Sequence, residues 1–329
     1  MHESEIAGGR VRKSGSFVHL IGCPIGCSTV WQDGGMMKQH SALTEILMLD
    51  PERDHQRIMF LCAAHEFPFD MVRALEFALF RTFAVPSIGA LLNRTGEFSQ
   101  RAQKRYDDTD LIMSQIYEYG YDSERGRAAL ARMNAIHGRF KIANDDFRYV
   151  LSTFILEPIR WIDRFGWRRM VEQERQGLYF FWREVGQRMS IQDIPPSLAA
   201  YEQFNLEYEQ TRFCYSDASR RTAAATRDML LAWFLPKPFW PLGEPFVYAL
   251  MDERLCTAFN FPPPSPALRG FVERVLRLRA RAVRWLPERR QPLLRSSLPH
   301  RSYPHGYRTA ELGSSPTQAS NDSRNSPSR

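Results

Sequence analysis

The chain of 329 residues has few of the features that mark secreted, zinc-ribbon or membrane-spanning proteins. Its five cysteines form no CxxC pair, since three residues separate Cys23 from Cys27. This pattern argues against a zinc ribbon or a secreted disulfide framework and predicts a reducing compartment. No run of about 18 apolar residues is present, because charged, proline and glycine residues interrupt the longest candidate, 77–92. The sequence therefore shows no transmembrane anchor, and its first residues show no signal-peptide pattern.

Metal-binding histidine motifs and nucleic-acid-binding motifs are also missing. The eight histidines form no HExxH pattern, and no zinc finger, RNP motif or helix-turn-helix is recognisable, so we expect no nucleic-acid partner. The chain is instead rich in arginine: ten arginines lie between Arg269 and Arg301, in a chain of net charge +7. Apolar residues interleave with them. This region predicts an amphipathic basic helix, which either presents a solvated arginine face or binds an anionic membrane surface.

The rest of the chain has a helical pattern. From Leu43 to about Gly243 apolar residues recur with a period near 3.6, and no sustained two-residue alternation indicates a sheet. We therefore predict an all-α fold, an irregular single domain of about nine or ten helices. Residues 1–43 have weak periodicity and many glycines, which predicts a divergent, poorly ordered segment. Residues 314–329 are mostly serine, proline, asparagine and arginine, which predicts a disordered tail.

Two segments place polar residues on faces that are otherwise apolar. In a helix predicted from about Arg101 to Tyr119, Arg105 and Thr109 share one face with Ile112 and Ile116, so the two side chains should be neighbours that point towards the core. A second helix is predicted from Glu124 to Gly138, with Asp122 and Ser123 as the N-terminal capping pair. Its apolar stripe comprises Ala129, Leu130, Met133, Ile136 and His137.

These buried polar residues need partners, because an unpaired charge or imidazole in a core costs several kcal/mol, roughly. His137 has an ordinary interpretation, a core histidine bonded to a carbonyl group, and Arg105 has another, a surface ion pair with Asp108. A haem is the functional alternative, since its iron would bind the imidazole and its carboxylate would bind the guanidinium. Spacing alone does not decide between these interpretations.

Several short stretches together resemble one enzyme family. They are similar to the MpaB/rubber oxygenase (latex-clearing protein) family, and most similar to its MpaB branch, over about residues 44–313. The stretches are Glu66-Phe-Pro-Phe-Asp70, Arg105-Tyr-Asp-Asp-Thr109, Arg132-Met-Asn-Ala-Ile-His137, Tyr149-Val-Leu-Ser152, Glu157-Pro-Ile-Arg160, Gly166-Trp-Arg168, Ser302-Tyr-Pro-His-Gly-Tyr307 and Glu311-Leu-Gly313. Each stretch alone is weak, whereas their combination and order are specific.

The resemblance implies a helical domain with a buried haem pocket. It implies an oxidoreductase that depends on haem b and uses dioxygen to cleave a carbon–carbon double bond of an apolar isoprenoid or prenylated secondary metabolite. His137 matches the proximal iron ligand, and Arg105 and Thr109 match a catalytic Arg/Thr pair. Phe147, Val150, Leu151 and Phe154, on a helix predicted from Asn144 to Gly166, suit a slot for the alkene, although ordinary core packing is the favoured explanation of these residues.

Several alternatives remain open at this point. The rubber oxygenases use a distal acid or base, and the nearest acid before the Arg/Thr helix, Glu97, does not have the matching spacing. A haem-binding oxidoreductase that cleaves no alkene, an inactive relative, and a peripheral membrane or interaction protein that works through the basic helix are the competing functions. MpaB-type proteins commonly carry a membrane anchor, and none is visible here. The expected location is therefore either the endoplasmic-reticulum membrane surface or the cytoplasm.

Overall fold

A computed structural model describes residues 41–313, and within this range the chain is all-α, as predicted. Thirteen α-helices exceed the nine or ten that the sequence predicts. One reason is that the apolar pattern of residues 246–259 predicts a single helix, whereas the structure divides this segment at Met251. The predicted segments 1–43 and 314–329 lie almost entirely outside the described residues. The helices are α1 Ser41–Met48, α2 His55–Leu61, α3 Pro68–Phe83, α4 Pro86–Thr95, α5 Glu97–Tyr119, α6 Glu124–His137, α7 Asn144–Phe165, α8 Glu172–Arg188, α9 Leu198–Arg212, α10 Asp217–Ala232, α11 Trp240–Leu250, α12 Glu253–Phe259 and α13 Pro266–Trp285.

Four short helical turns lie between these helices or after α13. A π-helical turn, Cys62–Glu66, links α2 to α3, and 3₁₀ turns lie at Lys237–Phe239, Arg295–Ser297 and Thr309–Glu311. Between 41 and 313 the only β-type pairing is an isolated bridge between His300 and Tyr303. No single helix in this range is long and apolar enough to cross a membrane. The consecutive helices α3 and α4 reach the required length and composition only as a pair, bent by 100°.

The two helices predicted to carry the polar residues begin and end close to the predicted positions. Ser123 caps α6 as predicted, since its hydroxyl accepts a hydrogen bond from the amide of Gly126 at 2.9 Å. Helix α5 begins earlier than predicted, at Glu97, but Arg101 has non-helical dihedral angles (φ −142°, ψ 43°), so the regular part begins just after it. Arg105 and Thr109 therefore lie on an unbroken stretch of helix, in which residues four positions apart share one face, as predicted.

Helix α7 forms the centre of the fold and packs against α3, α8 and α9. It runs without interruption through Pro158, and most of its side chains are buried. The run Asn144-Asp-Asp146 predicts a helix capped by Asn144, and this prediction is wrong, since Asn144 lies inside the first turn, after the capping position at Ala143. Its amide group instead joins a distant loop, donating to the Gln192 carbonyl at 3.0 Å and accepting from the Gln192 amide at 2.9 Å. A tertiary contact has replaced the local one.

Candidate functional site

A cavity of about 420 Å³ lies among α3, α4, α5, α6, α7 and α8 and has a predominantly apolar wall. The three residues singled out from the sequence, Arg105, Thr109 and His137, all line it. Arg105 and Thr109 belong to α5, and His137 is the last residue of α6. These two helices pack against each other, so the three polar side chains lie around the same cavity. Cavities of this size and character are typical of small-molecule and cofactor sites.

The imidazole of His137 lacks the hydrogen bond that the ordinary interpretation requires. Its Nδ1 atom is buried without a hydrogen-bond partner among the described residues. The ring instead meets the ring of Phe147 edge-on, with 5.4 Å between the centroids. A core histidine bonded to a backbone carbonyl is therefore not what the structure contains, and a buried polar nitrogen without a partner calls for a ligand.

The surroundings of His137 favour the neutral imidazole. Burial and, to a smaller extent, the positive charge of Arg105 together lower the pKa of His137 from 6.5 to about 4. A neutral imidazole has a free lone pair on one nitrogen, which is the form that binds a metal ion. Arg105 and His137 are thus electrostatically coupled across the cavity.

The guanidinium of Arg105 has no carboxylate partner within residues 41–313. It donates a hydrogen bond to the hydroxyl of Thr109 and lies 5.6 Å from the ring centroid of Phe98. Thr109 in turn donates to the Arg105 carbonyl at 3.0 Å. Burial lowers the pKa of Arg105, and the acids Asp108 and Glu97 offset this only in part.

The alternative pairing of Arg105 with Asp108 is wrong. Asp108 forms its ion pair with Lys104, at 2.8 Å, and accepts a hydrogen bond from the hydroxyl of Tyr303. Lys104 lies one turn before Asp108 on the helix, so the two side chains are neighbours, while Arg105 faces the cavity. Tyr303 is 195 positions away in the sequence, and no local pattern indicated this contact.

The proposed slot residues lie in the cavity wall. Phe147, Val150, Leu151 and Phe154, all from α7, line the cavity, and Phe154 stacks on Trp182 of α8 with 5.0 Å between ring centroids. Their position agrees with a slot for an apolar molecule. Helix α7 therefore contributes four apolar side chains to the wall over about two helical turns, and the hydroxyl of Thr153 among them is already bonded to the Val150 carbonyl at 2.7 Å.

Three carboxylates also line the cavity, and each already has a partner. Glu97 pairs with Arg101 at 2.7 Å, and Asp108 pairs with Lys104. Asp146 accepts hydrogen bonds from the hydroxyls of Tyr208, at 2.5 Å, and Ser87, at 3.0 Å. Glu97 is thus in the cavity wall despite its spacing in the sequence, but none of the three is a free acid or base.

The stretches Ser302–Tyr307 and Glu311–Gly313 contact the two helices that carry the predicted site residues. The amide of Ser302 donates to Asp107 at 2.8 Å, and the Leu312 carbonyl accepts from Arg132 at 2.6 Å. Gly313 has φ +80° and lines the cavity, and a Cβ atom there would lie 2.4 Å from Cδ1 of Ile136, next to His137. The sequence pattern did not indicate these supporting contacts, because they join residues that are 180 and 195 positions apart.

Other stretches in the resemblance hold the helices together instead of lining the cavity. Arg168 pairs with Glu66 at 2.5 Å and with Glu174 at 2.7 Å, and Asp70 pairs with Arg279 at 2.9 Å. Glu157 and Arg160 are three residues apart, a spacing that predicts an ion pair on a helix, and the pair is present at 2.8 Å. The position of Asn134 at the edge of the helix face of His137 predicts a structural role, and its amide group donates to the Arg188 carbonyl at 3.0 Å.

The residues of the cavity fit a haem. Within the described part of the chain, His137 has an imidazole nitrogen without a hydrogen-bond partner and Arg105 has a guanidinium without a carboxylate. These are the groups that would bind an iron and a propionate. In the described range no group of three or more histidine, cysteine or acidic side chains could hold a bare metal ion. A single histidine is a sufficient protein ligand when a porphyrin supplies the other four nitrogens.

Comparison with known families agrees with the geometry. Residues 68–285 match the family described as ER-bound oxygenase mpaB/B'/rubber oxygenase, catalytic domain. The chain belongs to this family. The matched range contains every helix that surrounds the cavity and all three predicted site residues, so the MpaB/rubber oxygenase catalytic domain and the candidate site coincide.

Three fungal relatives within this family are similar over much of the chain. ER-bound oxygenase mpaB' of Penicillium brevicompactum is 31% identical over 239 residues, covering 67% of this chain and 56% of that protein. ER-bound oxygenase mpaB of Penicillium roqueforti (strain FM164) is 35% identical over 214 residues, covering 60% and 72%. ER-bound oxygenase mpaB of Penicillium brevicompactum is 30% identical over 223 residues, covering 62% and 56%. The chain thus spans little more than half the length of two of these relatives.

Proposed function

We propose that this chain is a haem-b-dependent oxygenase that uses dioxygen to cleave a carbon–carbon double bond of an isoprenoid or prenylated secondary metabolite. The observation that carries the proposal is the Nδ1 atom of His137, which lies in the wall of an apolar cavity beside Arg105. Among the described residues Nδ1 has no hydrogen-bond partner and Arg105 has no carboxylate partner. The family supports it, because its members are named oxygenases. We take residues 44–313 as the catalytic domain.

Haem would supply the activation of dioxygen, and the protein supplies binding and orientation. His137 is the proposed proximal iron ligand, since its lowered pKa keeps the imidazole neutral well below pH 7. Arg105 is the proposed partner of a propionate, because its planar guanidinium binds a carboxylate through two hydrogen bonds. Thr109 restricts the Arg105 side chain to one orientation through its hydroxyl.

The proposed substrate follows from the cavity wall. Phe147, Val150, Leu151 and Phe154 present only carbon atoms to the cavity, so an apolar chain would bind there without leaving polar groups unpaired. An apolar wall also limits access of water to the reacting atoms. An isoprenoid side chain, which is apolar and carries regularly spaced double bonds, matches this requirement.

A second function is a haem-dependent oxidoreductase that does not cleave alkenes. The observation in its favour is that Glu97, Asp108 and Asp146, the carboxylates that line the cavity, are all engaged with other groups. A reaction that needs a free acid or base in the cavity would require one of these pairs to open. The two functions share the haem site and differ in their products.

The proposed location is a membrane surface. The relatives are named ER-bound, and an isoprenoid substrate partitions into lipid, so a membrane-associated enzyme would meet its substrate where it accumulates. Dioxygen, the second proposed substrate, is also apolar.

Product analysis tests the proposal. Purified full-length chain, loaded with hemin, is incubated with a prenylated aromatic compound under air and under argon, and carbonyl products are identified by mass spectrometry. We expect a shortened aldehyde or acid under air alone, and none from the His137→Ala variant. A haem-loaded chain that oxidises electron donors but forms no carbonyl product would support the second function instead.

A further inference from the structure

The outward side of α13 carries an apolar stripe that no other described part of the chain covers. Phe271, Val275, Leu278 and Trp285 are 55%, 46%, 59% and 83% exposed. Their spacing of four, three and seven residues places them on one side of the helix, over about 20 Å along its axis. Exposed apolar residues that are scattered need no explanation, but a continuous stripe of large ones does.

A second side of α13 is basic. Arg274, Arg277, Arg281 and Arg284 are exposed and recur every three or four residues, next to the apolar stripe. Arg277 pairs with Glu273 at 3.2 Å, whereas the other three form no ion pair or hydrogen bond with the described residues. The helix thus has unpaired positive charge beside its exposed apolar residues.

The third side of α13 packs against the rest of the protein, and this keeps the apolar stripe and the basic side turned towards solvent. Arg279 pairs with Asp70 at 2.9 Å and lies 3.8 Å above the ring of Phe69, and Ala280 is buried. Arg269 donates to the Met251 carbonyl at 2.8 Å. Some arginines of α13 therefore hold the helix in place, and others are exposed to solvent. The interpretation that α13 only presents a solvated arginine face does not explain why its large apolar residues are also exposed.

The neighbouring helix adds to the exposed apolar surface. Helix α11 packs against α13, and its Leu242 and Phe246, one turn apart, are 69% and 46% exposed. Apolar residues that penetrate a bilayer beside arginines that remain among the lipid headgroups are the arrangement of an interfacial amphipathic helix.

We propose that the stripe of α13 (Phe271, Val275, Leu278 and Trp285), with its basic side, docks on a membrane that contains anionic phospholipids. The unpaired arginines match the negative headgroups in charge. They disfavour a second copy of this chain as the occupant, because a symmetric pairing would bring the two basic sides together. This inference names the surface behind the proposed membrane location and does not depend on the haem assignment.

Vesicle flotation of the full-length chain tests the proposal. Vesicles of phosphatidylcholine alone are compared with vesicles that contain phosphatidylserine as well. We expect binding to the anionic vesicles and weaker binding to the neutral ones. In the double variant Arg274→Gln/Arg281→Gln, binding to anionic vesicles should fall about 25-fold, since each arginine near such a surface contributes about fivefold. The variant Phe271→Ser/Leu278→Ser should lose binding to both.

Matched controls carry equivalent changes elsewhere on the surface. Arg53→Gln/Arg254→Gln removes the same charge from exposed arginines outside α13, and Leu47→Ser/Leu206→Ser removes two exposed leucines. Both control variants should bind like the wild type. If they lose binding to the same extent as the α13 variants, net charge or general apolarity explains the binding and the proposed surface is wrong.

Fluorescence gives an independent test of the stripe. Trp285 is 83% exposed, so its emission should shift to the blue when vesicles are added, and the shift should disappear in Trp285→Phe. Wild-type protein that floats with neither kind of vesicle would overturn the proposal. A dimer in solution that Phe271→Ser/Leu278→Ser dissociates would also overturn it, because a second copy would then cover the stripe. Neither result would affect haem binding at His137.

Discussion

The guanidinium of Arg105 donates a hydrogen bond to the hydroxyl of Thr109, one helical turn later, and forms no salt bridge with any described residue. A guanidinium that faces an apolar cavity normally pairs with a carboxylate, because an unpaired buried charge is costly. The side chain is held in place by an uncharged partner and by the ring of Phe98. Arg105 is therefore positioned for an anion that no residue between 41 and 313 provides.

Replacing Arg105 with leucine should weaken haem binding without weakening the apoprotein. We expect the dissociation constant for hemin to rise by about 10- to 100-fold, since a charge-assisted hydrogen bond contributes about 1.5–3 kcal/mol. The melting temperature of the apoprotein should stay equal or rise, because the unpaired charge is gone. Hemin titration and calorimetry measure the two quantities. Arg125→Leu, at an exposed arginine stacked 4.7 Å from Tyr119, is the control and should leave hemin affinity unchanged.

Protonation of His137 should destabilise the apoprotein in mild acid. Its pKa is about 4 in the folded chain and 6.5 in the absence of burial, so the unfolded chain binds more protons between these values. Stability therefore rises with pH through this window and is lost as the pH falls from 6.5 towards 4, by about 3 kcal/mol in total. Urea titrations at pH 7 and pH 4.5 should show a smaller loss in His137→Phe, which has no imidazole. Equal losses in both proteins would contradict this assignment.

Gly313 should tolerate no side chain. Its φ of +80° is unfavourable for other residues, and a Cβ atom would meet Ile136 at 2.4 Å. We expect Gly313→Ala to lower the free energy of unfolding by about 1–3 kcal/mol. Gly270→Ala is the matched control, because Gly270 lies inside α13 with no atom within 4 Å of the added methyl group. That change should instead raise the free energy of unfolding by up to about 1 kcal/mol.

The buried pairs of Arg168 should be essential for stability. The side chains of Glu66 and Glu174 are 2% and 0% exposed, so removal of Arg168 would take the neutralising arginine away from two buried carboxylates. We expect Arg168→Met to lower the free energy of unfolding by about 3–5 kcal/mol in chemical denaturation at pH 7. Arg57→Met breaks an exposed pair with Glu45 and should cost about 1 kcal/mol or less. Similar losses in both variants would show that burial does not determine the effect.

Local signals allowed the helices around the site to be predicted. The cap at Ser123 and the apolar stripe of α6 indicated a helix over 124–138, and the structure has Glu124–His137. The division at Met251 was missed, although Asp252 offered a signal: its carboxylate caps α12 by accepting from the Leu255 amide at 2.9 Å. Helix periodicity is a property of neighbouring residues, so it can be recognised without the rest of the fold.

Partners that are distant in the sequence could not be predicted in the same way. The helical periodicity of α5 correctly predicted that Arg105 and Thr109 are neighbours. It did not indicate that the Tyr303 hydroxyl donates a hydrogen bond to Asp108, or that Glu97 lines the cavity. That His137 Nδ1 has no hydrogen-bond partner in the described part of the chain is likewise a result of the packing. Which polar groups remain unsatisfied depends on all the elements around them, and this is the information that only the three-dimensional arrangement contains.

The central claim is that His137 binds haem iron, and the visible spectrum with the pyridine haemochrome tests it most directly. Purified wild-type chain is compared with His137→Gly, with and without added imidazole, and with His65→Gly as a control, since His65 is outside the cavity. We expect a b-type spectrum in the wild type and in His65→Gly, loss of the axial ligand in His137→Gly, and its recovery with imidazole. Folded wild-type protein that contains no haem and takes up no added hemin, or a spectrum unchanged in His137→Gly, would contradict the claim.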